Sequence, residues 1–183
     1  MILIDATFVA SYGGINVLKT FIDSIENNEK KLFILFIDIR LKHLNFDIEN
    51  FKRVLYVRNR IIERQLTFLE IEPQIKVVLS FGNVPLIVSK NIYQITFVQQ
   101  YFVFNVSIIN DLKLKIRWIL KGFIIRTLFK FTKSDIAVQS RTMALLADKI
   151  NSGGKTYIFP IFKPFTLSKK IDKTPTNFIY ISS

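Results

Sequence analysis

The chain contains no cysteine, a single histidine, 6 glycines and 5 prolines. Without cysteine there is no disulfide framework, no zinc finger and no thiol catalysis. One histidine excludes a His-rich metal site and leaves any Ser-His-Asp triad dependent on His43. His43 lies in RLKHLNFD, a stretch without strong periodicity, and reads as a solvated loop residue. No paired carboxylates stand at a convincing spacing for acid/base work, so no metal and no permanently bound cofactor is expected. Scarce glycine and proline exclude collagen-like and linker-like chain. The uncharged stretch 91–110 is long enough to cross a membrane, but Asn91, Gln94, Gln99, Gln100, Asn105 and Asn110 punctuate it. The opening MILIDATFVASYGG has no basic leader and carries Asp5 in its first apolar run, which is not a signal-peptide pattern. The expected compartment is the reducing cytoplasm.

What is present is apolar and basic. The 183 residues are 50% hydrophobic with 18 phenylalanines, enough to build one core and offset chain entropy. The net charge is +12. Residues 1–110 contribute only +2 of it, and residues 111–173 contribute +10. The charge is densest in DLKLKIRWILKGFIIRTLFKFTK, residues 111–133, with seven cations and one acid. As a helix, this segment places Lys115, Arg126 and Lys133 on one narrow line, with Arg117 and Lys121 elsewhere on the wheel. Large apolar residues occupy most of the remaining circumference. Three readings follow. The helix is buried and its basic side chains snorkel outward. It packs one side on the domain and meets anionic lipid with the other, through Lys115, Arg117, Trp118, Lys121, Arg126, Lys130 and Lys133. Or it binds nucleic acid, although no recognition motif or stacking platform accompanies it and no nucleic-acid partner is expected.

Short β-like runs alternate with helical stretches along the chain, which predicts an α/β domain with a Rossmann-like parallel sheet flanked by helices. The expected strands are 2–5, 32–37, 53–57, 76–83, 94–100, 135–140 and 156–160. The expected helices are 15–26, 58–71, 111–133 and 141–150. A turn through Tyr12-Gly13-Gly14 precedes the first helix, and Asn151-Ser152-Gly153-Gly154 closes the last with a left-handed cap. Residues 161–176 read as a linker and 177–183 as one further strand, NFIYIS and its last serine, with no partner in the chain.

Ligands in parallel sheets bind at the carboxyl ends of strands, near helix N-termini. Gly13 and Gly14 sit at such a place, where bare backbone lets amides approach a phosphate or sugar. They form neither a dinucleotide fingerprint nor a P-loop, and the same pair also fits a plain tight turn. Asn83, Gln99 and Gln100 end two further strands, and ordinary loop polarity would account for each. Ser140 is a competent N-cap for the helix it opens.

The order of these pieces resembles the N-terminal half of the glycosyltransferases of family 4, which have the two-domain GT-B fold. The resemblance runs through ILIDATFVASYGGINVLKTFIDSI, VVLSFGNVPLI, QITFVQQYFVF, SDIAVQSRTMALLADKI, TYIFPIF and NFIYISS, and so spans essentially the whole chain. It implies residues 1–160 as the acceptor-side domain, a linker at 161–176, and residues 177–183 as the first strand of a donor-binding domain that is missing. It implies retaining transfer from a nucleotide-sugar donor to a lipid-linked or saccharide acceptor. The setting would be bacterial cell-surface polysaccharide or lipopolysaccharide O-antigen synthesis, with the protein peripheral at the inner face of the cytoplasmic membrane. Gly13 and Gly14 would lie beside the donor diphosphate. Many members carry a histidine after the strand matching QITFVQQ, whereas this chain has Gln99 and Gln100 there. A truncated chain of this kind is expected to be inactive alone, since one wall of a cleft cannot bind a transition state differentially. A partner would then supply the missing half. The alternatives are a non-catalytic membrane-surface or acceptor-binding module and a basic nucleic-acid-binding domain.

Overall fold

The strands form from short apolar runs, too short for a helix and rich in β-branched or aromatic residues, whereas the run VPLIV at 84–88, with Pro85, stays out of the sheet. In the computed structural model, which describes residues 1–9, 11–150 and 153–159, the strands are β1 (Ile2–Ala6), β2 (Phe33–Asp38), β3 (Arg53–Val57), β4 (Val77–Ser80), β5 (Tyr93–Val98), β6 (Asp135–Val138) and β7 (Thr156–Ile158). The helices are α1 (Tyr12–Ser24), α2 (Ile61–Ile71), α3 (Leu112–Thr132) and α4 (Arg141–Asp148). The seven strands form one sheet in the order β3-β2-β1-β4-β5-β6-β7, every pairing parallel. This is the expected Rossmann-like α/β arrangement. The expected linker at 161–176 and the strand at 177–183 lie outside the described residues.

The strand order reverses between β1 and β4. The chain steps one way from β1 to β3 and the other way from β4 to β7, so right-handed crossovers put α1 and the later helices on opposite faces. Val17, Leu18 and Ile22 of α1 pack on Ile4, Leu35 and Ile37. On the other face Phe68 and Ile71 of α2 pack on Leu3, Ile34 and Phe36. Ile125 and Phe129 of α3 and Met143, Ala144 and Ala147 of α4 pack there on Val98, Ile136 and Val138. Parallel sheets are ordinarily covered on both sides. Here the α1 face is covered over β1 and β2 but lies open over β4 to β7 among the described residues. A cavity of about 380 Å³ runs along it, lined by Leu79, Ile95, Ala137 and a chain of phenylalanines. Phe21, Phe81, Phe97 and Phe159 follow one another at centroid distances of 5.0, 5.8 and 6.5 Å.

Two expectations about glycine need correcting. The first helix begins at Tyr12, three residues earlier than the turn reading allows, because Ser11 is the N-cap and its side chain accepts from the Gly14 N–H. Gly13 and Gly14 are therefore first-turn helical residues. Nor do Gly153 and Gly154 form a left-handed cap, since no described glycine has a positive φ. Gly154 is needed for close packing instead: a Cβ there would lie 2.5 Å from the Ser134 carbonyl oxygen. Left-handed backbone falls instead on Asn50 (φ 69°), Asn83 (φ 64°) and Lys133 (φ 51°), and Lys133 is the one that caps a helix.

Candidate binding site at the strand reversal

The carboxyl ends of β1, β4 and β5 and the start of α1 meet where the strand order reverses, and polar groups concentrate there. Asn83 follows β4 in a left-handed conformation that asparagine tolerates better than other non-glycine residues. Its Oδ1 accepts from the N–H groups of Gln99 (2.7 Å) and Gln100 (3.2 Å) and so staples the end of β4 to the end of β5. This aims the Gln99 side chain at α1. A Cβ added to Gly14 would lie 3.0 Å from Gln99 Oε1, so glycine is what lets the helix start and the amide sit together. The Gln99 Nε2 is buried and has no hydrogen-bond partner among the described residues. An unmet donor in a dry place costs about 1–3 kcal/mol, so an acceptor that reached it would be stabilised.

Gln100 faces the other way and accepts from Lys121 Nζ at 3.4 Å, linking this edge to α3. Ser140 caps α4, its Oγ accepting from the Met143 N–H at 3.3 Å. The structure thus brings Gly14, Asn83 and Gln99 together directly. Gly13 lies beside them in the first turn of α1 with open space around it. His43 is exposed in the turn after β2.

The sequence reading missed a buried ion pair at this edge. Asp5, near the end of β1, and Arg64 of α2 form an ion pair whose side chains are each about 2% exposed. Asp5 accepts from Arg64 Nε at 2.8 Å and also from Arg64 Nη2. It accepts as well from the Thr7 hydroxyl at 2.7 Å. Arg64 spends its remaining donors on the carbonyls of Val84 (2.8 Å) and Pro85 (3.4 Å), and its guanidinium lies 5.1 Å from the centre of the Phe8 ring. The pair therefore locks the loops after β1 and β4, the two that frame the site. The available signal was an acid inside an apolar strand and an arginine on the apolar side of a helix. Gly82 belongs to the same frame, since a Cβ there would meet Phe8 Cβ at 2.4 Å.

The chemistry at this edge is that of binding. Asp5 is consumed by Arg64, and Asp38 at the end of β2 by Arg40, whose pKa is raised by that hydrogen bond. Among the described residues no group of three or more acidic, histidine or cysteine side chains could hold a metal ion. What the site offers is the positive end of the α1 dipole, backbone amides and the Gln99 donor, a set suited to oxygen-rich neutral or anionic ligands.

Around α3 the expected line of cations does not form. Lys133 is the left-handed C-cap and leaves the helix, and Arg126 turns back so that its Nε donates to the Gly122 carbonyl at 3.1 Å. Trp118 faces the domain, 5.4 Å from the Phe102 ring, and Lys121 lies over it at 4.4 Å. Burial lowers the Lys121 pKa, and Arg117 beside it lowers it further. Lys115 and Lys130 stay on the same flank of the helix as Arg126, and Arg117 lies opposite them. No described helix is long and apolar enough to cross a membrane. No family model, curated protein or solved structure matches the chain.

Proposed function

We propose that the chain is the acceptor-side half of a retaining glycosyltransferase that uses a nucleotide sugar, in the manner of family 4. The observation that carries this reading is the unpartnered Gln99 amide held against Gly14 at the strand reversal. A donor diphosphate lying across the first turn of α1 would meet the Gly13 N–H, the helix dipole and Gln99 together, beside the Gly14 backbone that Ser11 holds. In the transfer the bond from the anomeric carbon to the diphosphate breaks and one to an acceptor hydroxyl forms. The nucleoside diphosphate departs on the face from which the acceptor hydroxyl arrives, and its leaving oxygen takes the hydroxyl proton, so that configuration is retained. On this reading the nucleotide pocket belongs to a second α/β domain, supplied by more of the same polypeptide or by a partner. Bacterial surface polysaccharide or O-antigen assembly is the setting the resemblance implies, with a lipid-linked or saccharide acceptor at the cytoplasmic membrane face.

The engagement of Asp5 and Asp38 by arginines favours a second reading, a module that binds acceptor or membrane without transfer. Amide NMR separates the two. Nucleotide sugars should shift the Gly13, Gly14 and Gln99 signals, and Gly14→Val should abolish the shifts while the fold persists. If a panel of common nucleotide sugars leaves these amides unmoved, while oligosaccharides or vesicles shift others, the binding-module reading replaces the first. Joined to a family C-terminal domain, the chain should transfer sugar, and an inactive joined protein would count against the transferase.

A further inference from the structure

The side of α3 that faces away from the protein is apolar, and folding supplies no reason for it. Only Gly122, Ile125 and Phe129 are buried, and they fall on one side of the wheel. A surface helix normally carries its polar residues opposite such a stripe. On α3 the opposite side carries Ile116, Leu120, Phe123, Ile124 and Phe131, with Thr127 among them and Lys113 at the first turn. Phe123 is 66% and Phe131 80% exposed, against 1% for Phe129 on the same helix. A groove of about 220 Å³ lies on the Arg117 flank, where Leu128 meets Ile62 and Leu66 of α2, themselves 76% and 58% exposed.

Charge frames the ridge. By helical spacing Arg117 and Lys121 run along one flank, and Lys115, Arg126 and Lys130 along the other. The acid of this segment, Asp111, is occupied as the N-cap, accepting from the Leu114 N–H at 2.6 Å. Among the described residues none of these cations is within salt-bridge distance of a carboxylate. An apolar crest between two rows of unneutralised cations is the profile of a helix that lies in a bilayer interface. There the crest enters the acyl region while the cations meet headgroup phosphates. Pairing with a second copy would set cation rows against each other. A nucleic acid would leave the crest against phosphates.

We infer that α3 is a membrane-docking element that lies in the plane of an anionic bilayer, with Ile116, Leu120, Phe123, Ile124 and Phe131 inserted. This inference is independent of sugar transfer and stands or falls on lipid binding alone. The absence of native cysteine allows a clean test. The full chain carrying Phe123→Cys and an environment-sensitive dye is mixed with vesicles of phosphatidylcholine, with or without phosphatidylglycerol. The dye should shift to the blue and be quenched by acyl-chain quenchers only with the anionic vesicles. In flotation, Leu120→Ser with Phe123→Ser should weaken vesicle binding at least tenfold without lowering the melting temperature. Arg117→Glu with Lys121→Glu should weaken it by more than tenfold, following roughly fivefold per cation removed from an anionic surface. A dye that stays aqueous on anionic vesicles would overturn the inference. So would serine variants that bind as well as the parent, a dimer that the serine variants abolish, or binding to nucleic acid in place of vesicles.

Discussion

Two regions of this protein invert the usual distribution of polarity, in opposite senses. At the strand reversal charge lies inside: Asp5 and Arg64 are buried under the loops they tie. On α3 the aliphatic and aromatic side chains lie outside, with Phe123 and Phe131 in water. The first inversion is locally satisfied, because every charge has partners. The second is unsatisfied in the isolated chain, because exposed apolar surface is stabilised only by something that covers it. A buried ion pair with its partners in place braces the scaffold, and an apolar exterior without a partner asks for one.

The comparison can be broken most severely at Arg64. Arg64→Met leaves the Asp5 carboxylate buried without its counter-charge and should cost about 3–5 kcal/mol in urea unfolding. Asp5→Leu combined with Arg64→Met should recover part of that loss. A single variant costing under about 1 kcal/mol would mean that the pair does not brace the site. Nearly as large, Phe129→Ala should cost about 3–5 kcal/mol by opening a cavity between α3 and β6. At the other inversion, on the same helix, Phe123→Ala should stay within about 0.5 kcal/mol of the parent. Equal costs at the two phenylalanines would show that both sides of α3 are covered in solution, and the inversion would be lost.

Asn83→Ala removes the staple to Gln99 and Gln100 and puts a side chain with no polar group at a positive φ. About 1–3 kcal/mol is expected, with Asn83→Gly losing less because glycine accepts the conformation. If the two variants are equal, the hydrogen bonds carry the whole effect. Smallest among these edge variants, Ser140→Ala should cost about 1 kcal/mol through the lost cap of α4, read as a lower melting temperature. No change would mean that the α4 terminus is held by packing alone.

Much of the architecture was legible because it depends on local pattern. Runs such as FILFID and RVLYV are too short and too β-branched or aromatic for helices, and α1, α2 and α4 follow their apolar spacing. The capping role of Ser140 was legible for the same reason. The first turn of α1 was displaced because the Gly pair suggests a turn, whereas the Ser11 cap three residues before Gly14 starts the helix earlier. The Asp5–Arg64 pair was hidden because its members are far apart in sequence and meet only when α2 crosses to β4. The Gln99 donor was recognisable as polar, but its lack of a partner depends on what surrounds it.

The case of α3 marks the division most clearly. Its helical character, its cations and its abundant apolar residues follow from residues 112–132 alone, through spacing and propensity. Such a wheel is apolar nearly all round and does not say which side packs. Only the sheet decided that, by taking Gly122, Ile125 and Phe129 against it. The physical reason is that burial is a relation between elements: a side chain's hydrophobicity is intrinsic, but whether water reaches it depends on what the rest of the chain places beside it.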